Sequence, residues 1–225
     1  MARKPSSKSS FFNRVGKQGN SGKVVEIGQA GRQSLRIIGG QWRGRRIPFA
    51  TVAGLRPTQD RVRETVFNWL AGPVVAANCL DLFAGTGALG LEALSRGAKH
   101  VSFVDLSNVA TTALKDNLNQ LPLAADQSSS VAQMSGFEWL RNHALLAAAA
   151  DPTSKPYDLI FLDPPFALAL MQDMLDALFA SGCLAPNAMI YVEQAQPLKD
   201  LALPAPWKLH RNKKAGQVHY GLISQ

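Results

Sequence analysis

The chain has little cysteine, no long apolar run and, over its first third, almost no acid. Only Cys79 and Cys183 occur among 225 residues, both in apolar contexts and without Cys-x-x-Cys spacing, so neither a disulfide framework nor a zinc site is expected. His100, His143, His210 and His219 are scattered without ligand spacing, and no metal is expected. No stretch approaches the roughly 18 uninterrupted apolar residues of a membrane-spanning helix, and the first residues lack the apolar centre of a secretory leader. These absences point to a cytoplasmic protein with no membrane partner.

The scarcity of acid is local. Residues 1–64 hold fourteen Lys and Arg against three Asp and Glu, a net +11, whereas residues 65–225 carry −3. A phosphate backbone is the commonest partner of such asymmetry, and a solvated basic tail is the plainer alternative. Residues 1–34, rich in Ser, Arg and Lys, read as a disordered basic tail rather than a transit peptide. From Leu35 to Pro48 the pattern predicts two short strands around a two-residue turn at Gly39-Gly40. Arg43, Arg45 and Arg46 crowd the returning strand beside Trp42. Guanidinium groups next to an indole suit phosphate contact and base stacking, so residues 35–50 are expected to form an RNA-binding β-hairpin, with a charged edge strand as the alternative.

Residues 51–225 read as one domain. Val62, Val66, Trp69 and Leu70 fall at helical spacing after Thr58, a suitable N-cap, and Gly72-Pro73 ends that helix. Beyond it, apolar runs at 79–83, 101–105, 130–134, 158–162 and 188–193 alternate with helical segments at 88–97, 107–120, 136–148 and 167–180. This is a βαβ series with a parallel sheet. Residues 207–212 and 218–223 break the rhythm and predict an antiparallel hairpin closing the sheet. Tyr191 and Trp207 are expected in the core, and Glu193 at a strand end is equally suited to solvent or to a cleft.

Two stretches carry chemistry. Asp81-Leu-Phe-Ala-Gly85-Thr-Gly87-Ala-Leu-Gly90 follows the first parallel strand and opens a helix, where glycines let backbone approach a ligand and free N–H groups face it. With Asp105 ending the next strand, the spacing matches a dinucleotide fingerprint. Asp81 favours S-adenosylmethionine instead, since a carboxylate there would repel a pyrophosphate and attract a methionine ammonium. Asp163-Pro164-Pro165-Phe166 ends a strand beside the first. A carboxylate and a carbonyl held rigid by proline can accept both N–H groups of an exocyclic amine on a base, and Phe166 can stack on that base. The plainer role of Asp163 is to cap the following helix.

Together these stretches resemble class I methyltransferases that modify exocyclic amino groups. The segments Leu35–Arg45, Leu55–Leu70 and Cys79–Ser95 resemble, more narrowly, the bacterial 16S rRNA (guanine(966)-N2)-methyltransferase family, over roughly residues 35–223. The resemblance implies a Rossmann-like α/β fold, with a seven-stranded sheet, an antiparallel C-terminal hairpin and a small N-terminal hairpin extension. It implies S-adenosyl-L-methionine as cofactor and 16S rRNA in the small ribosomal subunit as partner; separately, the protein is expected to be a monomer. By position, Asp81, Gly85, Gly87 and Asp105 would hold the cofactor, Arg56 and Thr58 would lie near its methionine end, and Asp163, Pro164 and Phe166 would hold the base. Arg43, Arg45, Arg46 and Trp42 would grip RNA. Two positions depart from the family pattern: Ser135 stands where an acid or amide often meets the adenine amino group, and Ser107 where a second acid often follows Asp105. The alternatives are an adenine-N6 DNA methyltransferase, a non-catalytic RNA-binding assembly factor and, more distantly, a dehydrogenase.

Overall fold

Strand-length apolar runs without polar alternation demand cover on both faces, and the chain supplies it with two layers of helix. A computed structural model describes residues 33–49, 58–149, 151 and 155–225. The chain runs β1 (Ser34–Arg36), β2 (Arg46–Pro48), α1 (Asp60–Trp69), β3 (Asn78–Asp81), α2 (Ala88–Ser95), β4 (His100–Asp105), α3 (Asn108–Asn119) and β5 (Ser128–Gln133). It continues with α4 (Gly136–Ala148), β6 (Tyr157–Leu162), α5 (Met171–Ala180), β7 (Leu184–Gln194), β8 (Lys208–Ala215) and β9 (Val218–Ser224). The sheet order is β5-β4-β3-β6-β7-β9-β8, parallel from β5 to β7 and antiparallel through β9 and β8. The expected closing hairpin is therefore present.

From β3 the chain steps outward to β4 and β5 and returns on the other side of β3 as β6. The helices that follow the neighbouring strands β3 and β6, α2 and α5, cover opposite faces of the sheet, which opens a crevice at the carboxyl ends of β3, β4 and β6. One face of the sheet packs Ile160, Leu162 and Val192 against Leu140, Met174 and Leu178 of α4 and α5. The other packs Phe103, Phe161 and Tyr191 against Phe67 of α1, Leu91 of α2 and Leu114 of α3. The polar strand β5, half exposed, takes the edge.

The N-terminal hairpin is real but built differently from expectation. β1 and β2 pair antiparallel, and residues 37–45 join them through a 3-10 turn at Gly40–Trp42 in place of a two-residue turn. Gly40, at φ +73, lies so close to the Ser95 carbonyl that no side chain could be accommodated. Its role is docking. The Ile38 and Gly39 N–H groups donate to the Glu92 carboxylate at 2.8 Å each, and the Trp42 N–H donates to Ser95 Oγ at 3.0 Å. Trp42 itself is 3% exposed, and its indole N–H donates to the Pro122 carbonyl at 3.3 Å. The expected base-stacking role of Trp42 is thus corrected: the indole belongs to the core, because the turn that carries it folds inward onto α2 and α3.

Two further expectations change. Gln59, without a side-chain cap bond, precedes α1, and the Thr58 hydroxyl donates to Asp163 instead. The helix expected from residue 167 begins only at Met171, after a 3-10 turn at Phe166–Leu168 and a left-handed Ala169 at φ +48. Residues 1–32 and Arg56 lie outside the described residues. Among the described residues no helix is long and apolar enough to cross a membrane, and no cluster of His, Cys, Asp or Glu could hold a metal ion.

Candidate active site

The crevice is built from strand ends. Parallel register sets Asp81 of β3 beside Phe161 of β6, and Phe161 beside Tyr191 of β7. Side chains alternate along a strand, so Asp163 and Glu193 continue the same face two residues further on. Asp81, Asp163 and Glu193 therefore edge one face of the sheet at its carboxyl end, a row of three acids. No Lys or Arg among the described residues forms an ion pair with any of them.

Asp81 lies deep in the crevice. It is 2% exposed, under the glycine loop rather than at its mouth, and its Oδ2 accepts the Gly90 N–H at 3.1 Å. Burial pushes its carboxyl up to about 7, and the nearby Asp105 charge adds to the rise, against the hydrogen bonds from the Gly90 and Phe83 amides. The loop above it turns through left-handed Gly85 (φ +51) and Gly87 (φ +77). A Cβ at Gly87 would stand 2.6 Å from Leu114 Cδ1, so only glycine meets both the dihedral and the packing demand. Asp105 closes the loop from β4, its Oδ2 accepting the Gly85 N–H at 2.7 Å and its Oδ1 the Ser107 N–H at 2.8 Å.

Asp163 lies half-buried at the end of β6, where Oδ2 accepts the Thr58 hydroxyl at 3.3 Å. Desolvation first, then the charges of Glu193 and Asp81, hold its carboxyl well above the usual range, and the Thr58 bond opposes them only in part. Among the described residues nothing donates to the Pro164 carbonyl, while that of Pro165 accepts the Leu168 N–H. Phe166 is 37% exposed on the rim.

The structure thus gathers Asp81, Gly85, Gly87, Asp105, Thr58, Asp163, Pro164 and Phe166 at one crevice. Ser107 and Ser135, at the ends of β4 and β5, spend their hydroxyl oxygens as N-caps of α3 and α4. Arg43 and Arg45 are placed elsewhere. The hairpin turn docks at the far ends of α2 and α3, where Arg45 donates to the Gln120 carbonyl at 3.4 Å. The twelve residues of α3 separate that end from the crevice by ~18 Å at about 1.5 Å per residue.

Sequence reasoning missed the rim. Leu106, 72% exposed, and Phe137 follow the ends of β4 and β5 and present apolar surface to solvent at the crevice edge. It also passed over Lys213, whose ammonium sits 5.8 Å over the Trp69 ring and whose register partner, Tyr220, in turn pairs with Glu193. Exposed hydrophobes directly after a strand that ends in an acid were the available signal for Leu106. An open depression of 370 Å³ lies at the opposite edge of the sheet, beside Pro73, Asp158 and Asn187. Its one carboxylate already accepts the Asn78 N–H at 2.8 Å.

Comparison with known proteins shows the family to which this fold belongs. The profile of the family described as "Conserved hypothetical protein 95" matches residues 35–224. The Escherichia coli strain K12 protein named ribosomal RNA small subunit methyltransferase D is 42% identical over 87% of this chain and 92% of its own length. The Haemophilus influenzae protein of the same name is 42% identical over 84% and 92%. The solved structure of Escherichia coli yhhF, 42% identical, superposes with a TM-score of 0.73 over 86% of this chain and 98% of that one. By the profile that spans nearly all its described residues, and by its kinship with the small-subunit methyltransferase D proteins, the chain belongs to the conserved hypothetical protein 95 family.

Proposed function

We propose that the protein methylates the exocyclic N2 of a guanine in 16S ribosomal RNA, guanine 966 by the family resemblance, within the small ribosomal subunit. It acts as a cytoplasmic monomer with S-adenosyl-L-methionine as methyl donor. The observation that carries this reading is the Asp163 carboxyl beside an unengaged Pro164 carbonyl, at the same sheet edge as the glycine loop.

The donor set fits the cofactor. Asp81 is a buried acid with no cation beside it among the described residues, and a methionine ammonium is the charge it lacks. Gly85 and Gly87 bring backbone close, Asp105 suits ribose hydroxyls, and Leu106 and Phe137 offer flanking surface for the adenine ring. Ser135 retains an O–H to donate, and Arg56 enters through the resemblance alone. When bound, S-adenosylmethionine supplies an electrophilic methyl whose electron pair stays with sulfur as the guanine nitrogen bonds to carbon. Asp163 and the Pro164 carbonyl accept the two N2–H groups and turn the nitrogen lone pair toward the incoming carbon. Asp163, a carboxylate made more basic by its surroundings, then takes the surplus proton. Thr58 acts through Asp163 by orienting it. Arg43, Arg45 and Arg46 lie along a flank reaching well away from the crevice, which suits a large folded RNA rather than a free nucleotide.

Cofactor affinity is expected to depend on pH. An ammonium favours ionised Asp81, so binding below about pH 7 releases a proton. The Kd should rise about tenfold for each pH unit below 7 and level off above it, as titration calorimetry at constant ionic strength would read. Free-protein stability has the opposite sense, because a raised acid pKa favours the fold below the ordinary carboxylate range and that contribution fades as pH climbs through about 7. A flat Kd between pH 5.5 and 7.5 would remove Asp81 from the ammonium site.

Phe166→Ala should leave thermal stability nearly unchanged, since the ring is largely outside the core, yet lower kcat/KM by about tenfold or more through lost stacking. The reading as a whole is tested by labelled methyl transfer to small subunits lacking the modification, followed by nuclease digestion and mass spectrometry. N2-methylguanine at one site is expected. N6-methyladenine in a parallel duplex DNA reaction would overturn the substrate, and no transfer to any nucleic acid would favour the assembly-factor alternative.

A further inference from the structure

The row of acids contains one member that methyl transfer does not use. Glu193 is 6% exposed at the end of β7, one register step past the Leu162–Val192 pair and so level with Asp163 on the neighbouring strand. Its Oε2 accepts the Tyr191 hydroxyl at 2.6 Å, and nothing among the described residues donates to Oε1. Among the described residues Asp163 likewise uses only Oδ2. Two adjacent acids in a largely buried setting, without a cation among the described residues, repel one another and weaken the fold. Such a pair is retained at a gain only if something binding there brings donors.

We propose that Glu193 reads the base: its carboxylate accepts the N1–H of guanine while Asp163 accepts an N2–H, so the pair selects guanine N2 over adenine N6. This inference rests on the guanine-N2 reading above. Guanine presents N1–H and the N2 amino group side by side on its Watson–Crick edge, three N–H bonds for two acids and a carbonyl. Adenine presents an amino group next to N1, which is an acceptor there. Opposite Glu193, that lone pair meets a negative oxygen, and neither can be satisfied. A site built to hydrogen-bond a donor rejects the analogue lacking it far more strongly than an apolar pocket would. Tyr191 is the positioning residue, because its hydroxyl ties down one carboxylate oxygen and leaves the other to accept from a ligand.

The test uses small subunits reconstituted with 2-aminopurine at the target position, compared with guanine. 2-Aminopurine keeps the N2 amino group and has an acceptor at N1. Wild-type protein should methylate guanine with a kcat/KM about 100-fold or more above that for 2-aminopurine. Glu193→Gln, whose amide both donates and accepts, should bring that ratio within about tenfold by raising the 2-aminopurine rate as well as lowering the guanine rate. Tyr191→Phe should narrow the ratio part of the way with Glu193 intact. A Glu193→Gln ratio equal to wild type, with both rates scaled together, would overturn the proposal and leave guanine-N2 methylation standing. Wild-type transfer to adenine N6 in place of either purine N2 would overturn the underlying reading itself.

Discussion

Asp163→Ala is expected to lower kcat for methyl transfer by at least about 10³-fold while leaving the cofactor Kd within a few fold of wild type. The carboxyl would act twice, first as acceptor for the amino group and then as the base that removes its surplus proton. Alanine removes both functions, whereas the glycine loop and Asp105 keep their own hydrogen bonds. Asp163→Asn retains one acceptor oxygen but cannot take the proton, so its kcat should fall between the two. Stability should move in the other direction. Burial and the neighbouring acids raise the Asp163 pKa above its unfolded value, so stability present below the ordinary carboxylate range is lost as pH rises, and at neutral pH the Asn side chain should raise the melting temperature. A variant that melts higher and turns over far more slowly separates a working carboxylate from a helix cap. Near-wild-type single-turnover rates for Asp163→Ala would sink the assignment.

The largest stability loss is expected at Glu92. Its side chain is wholly buried on α2, where it accepts the N–H groups of Ile38 and Gly39 and the Arg96 Nε–H at 2.7 Å, with Arg63 Nη1 3.7 Å away. Arg63 is also wholly buried, held by the Arg36 carbonyl at 2.9 Å and by Asp60 at 2.6 Å. Glu92→Ala would leave the buried Arg63 guanidinium with only the exposed Asp60 carboxylate, and two backbone donors without acceptors. A loss of about 3–5 kcal/mol follows in urea unfolding. Proteolysis should then open the chain first between residues 33 and 49, because Ile38 and Gly39 are no longer tied to α2. Glu92→Gln keeps the shape and one acceptor, so its loss should be smaller. An unchanged urea midpoint for Glu92→Ala would show that the hairpin docks by its apolar residues Leu35, Ile37, Trp42 and Ile47 alone.

Both residues show how the two levels of description differ. Asp163 was conspicuous in the sequence because prolines after an apolar run must end the strand, and a strand end in a parallel sheet is where ligands bind. Glu92 was silent, one acid within the apolar helix Ala88–Ser95, with nothing local to distinguish it from a solvated residue. Its backbone partners lie more than fifty positions earlier in the chain.

Local chemistry determined the strand and helix order, the glycine loop, the strand-terminating Asp163-Pro164-Pro165-Phe166 and the final hairpin, because each depends on dihedral preference or on apolar periodicity within a few residues. Tertiary structure alone decided which partner each polar group met. The Thr58 hydroxyl left its expected capping role for Asp163, the Trp42 indole turned inward to the Pro122 carbonyl, and the turn that carries Arg43 and Arg45 settled a helix length from the crevice. It also aligned Glu193 with Asp163, a relation set by the register of β6 against β7. Register depends on how two strands separated in the chain by α5 bury their shared face, and no local pattern in either strand contains that information.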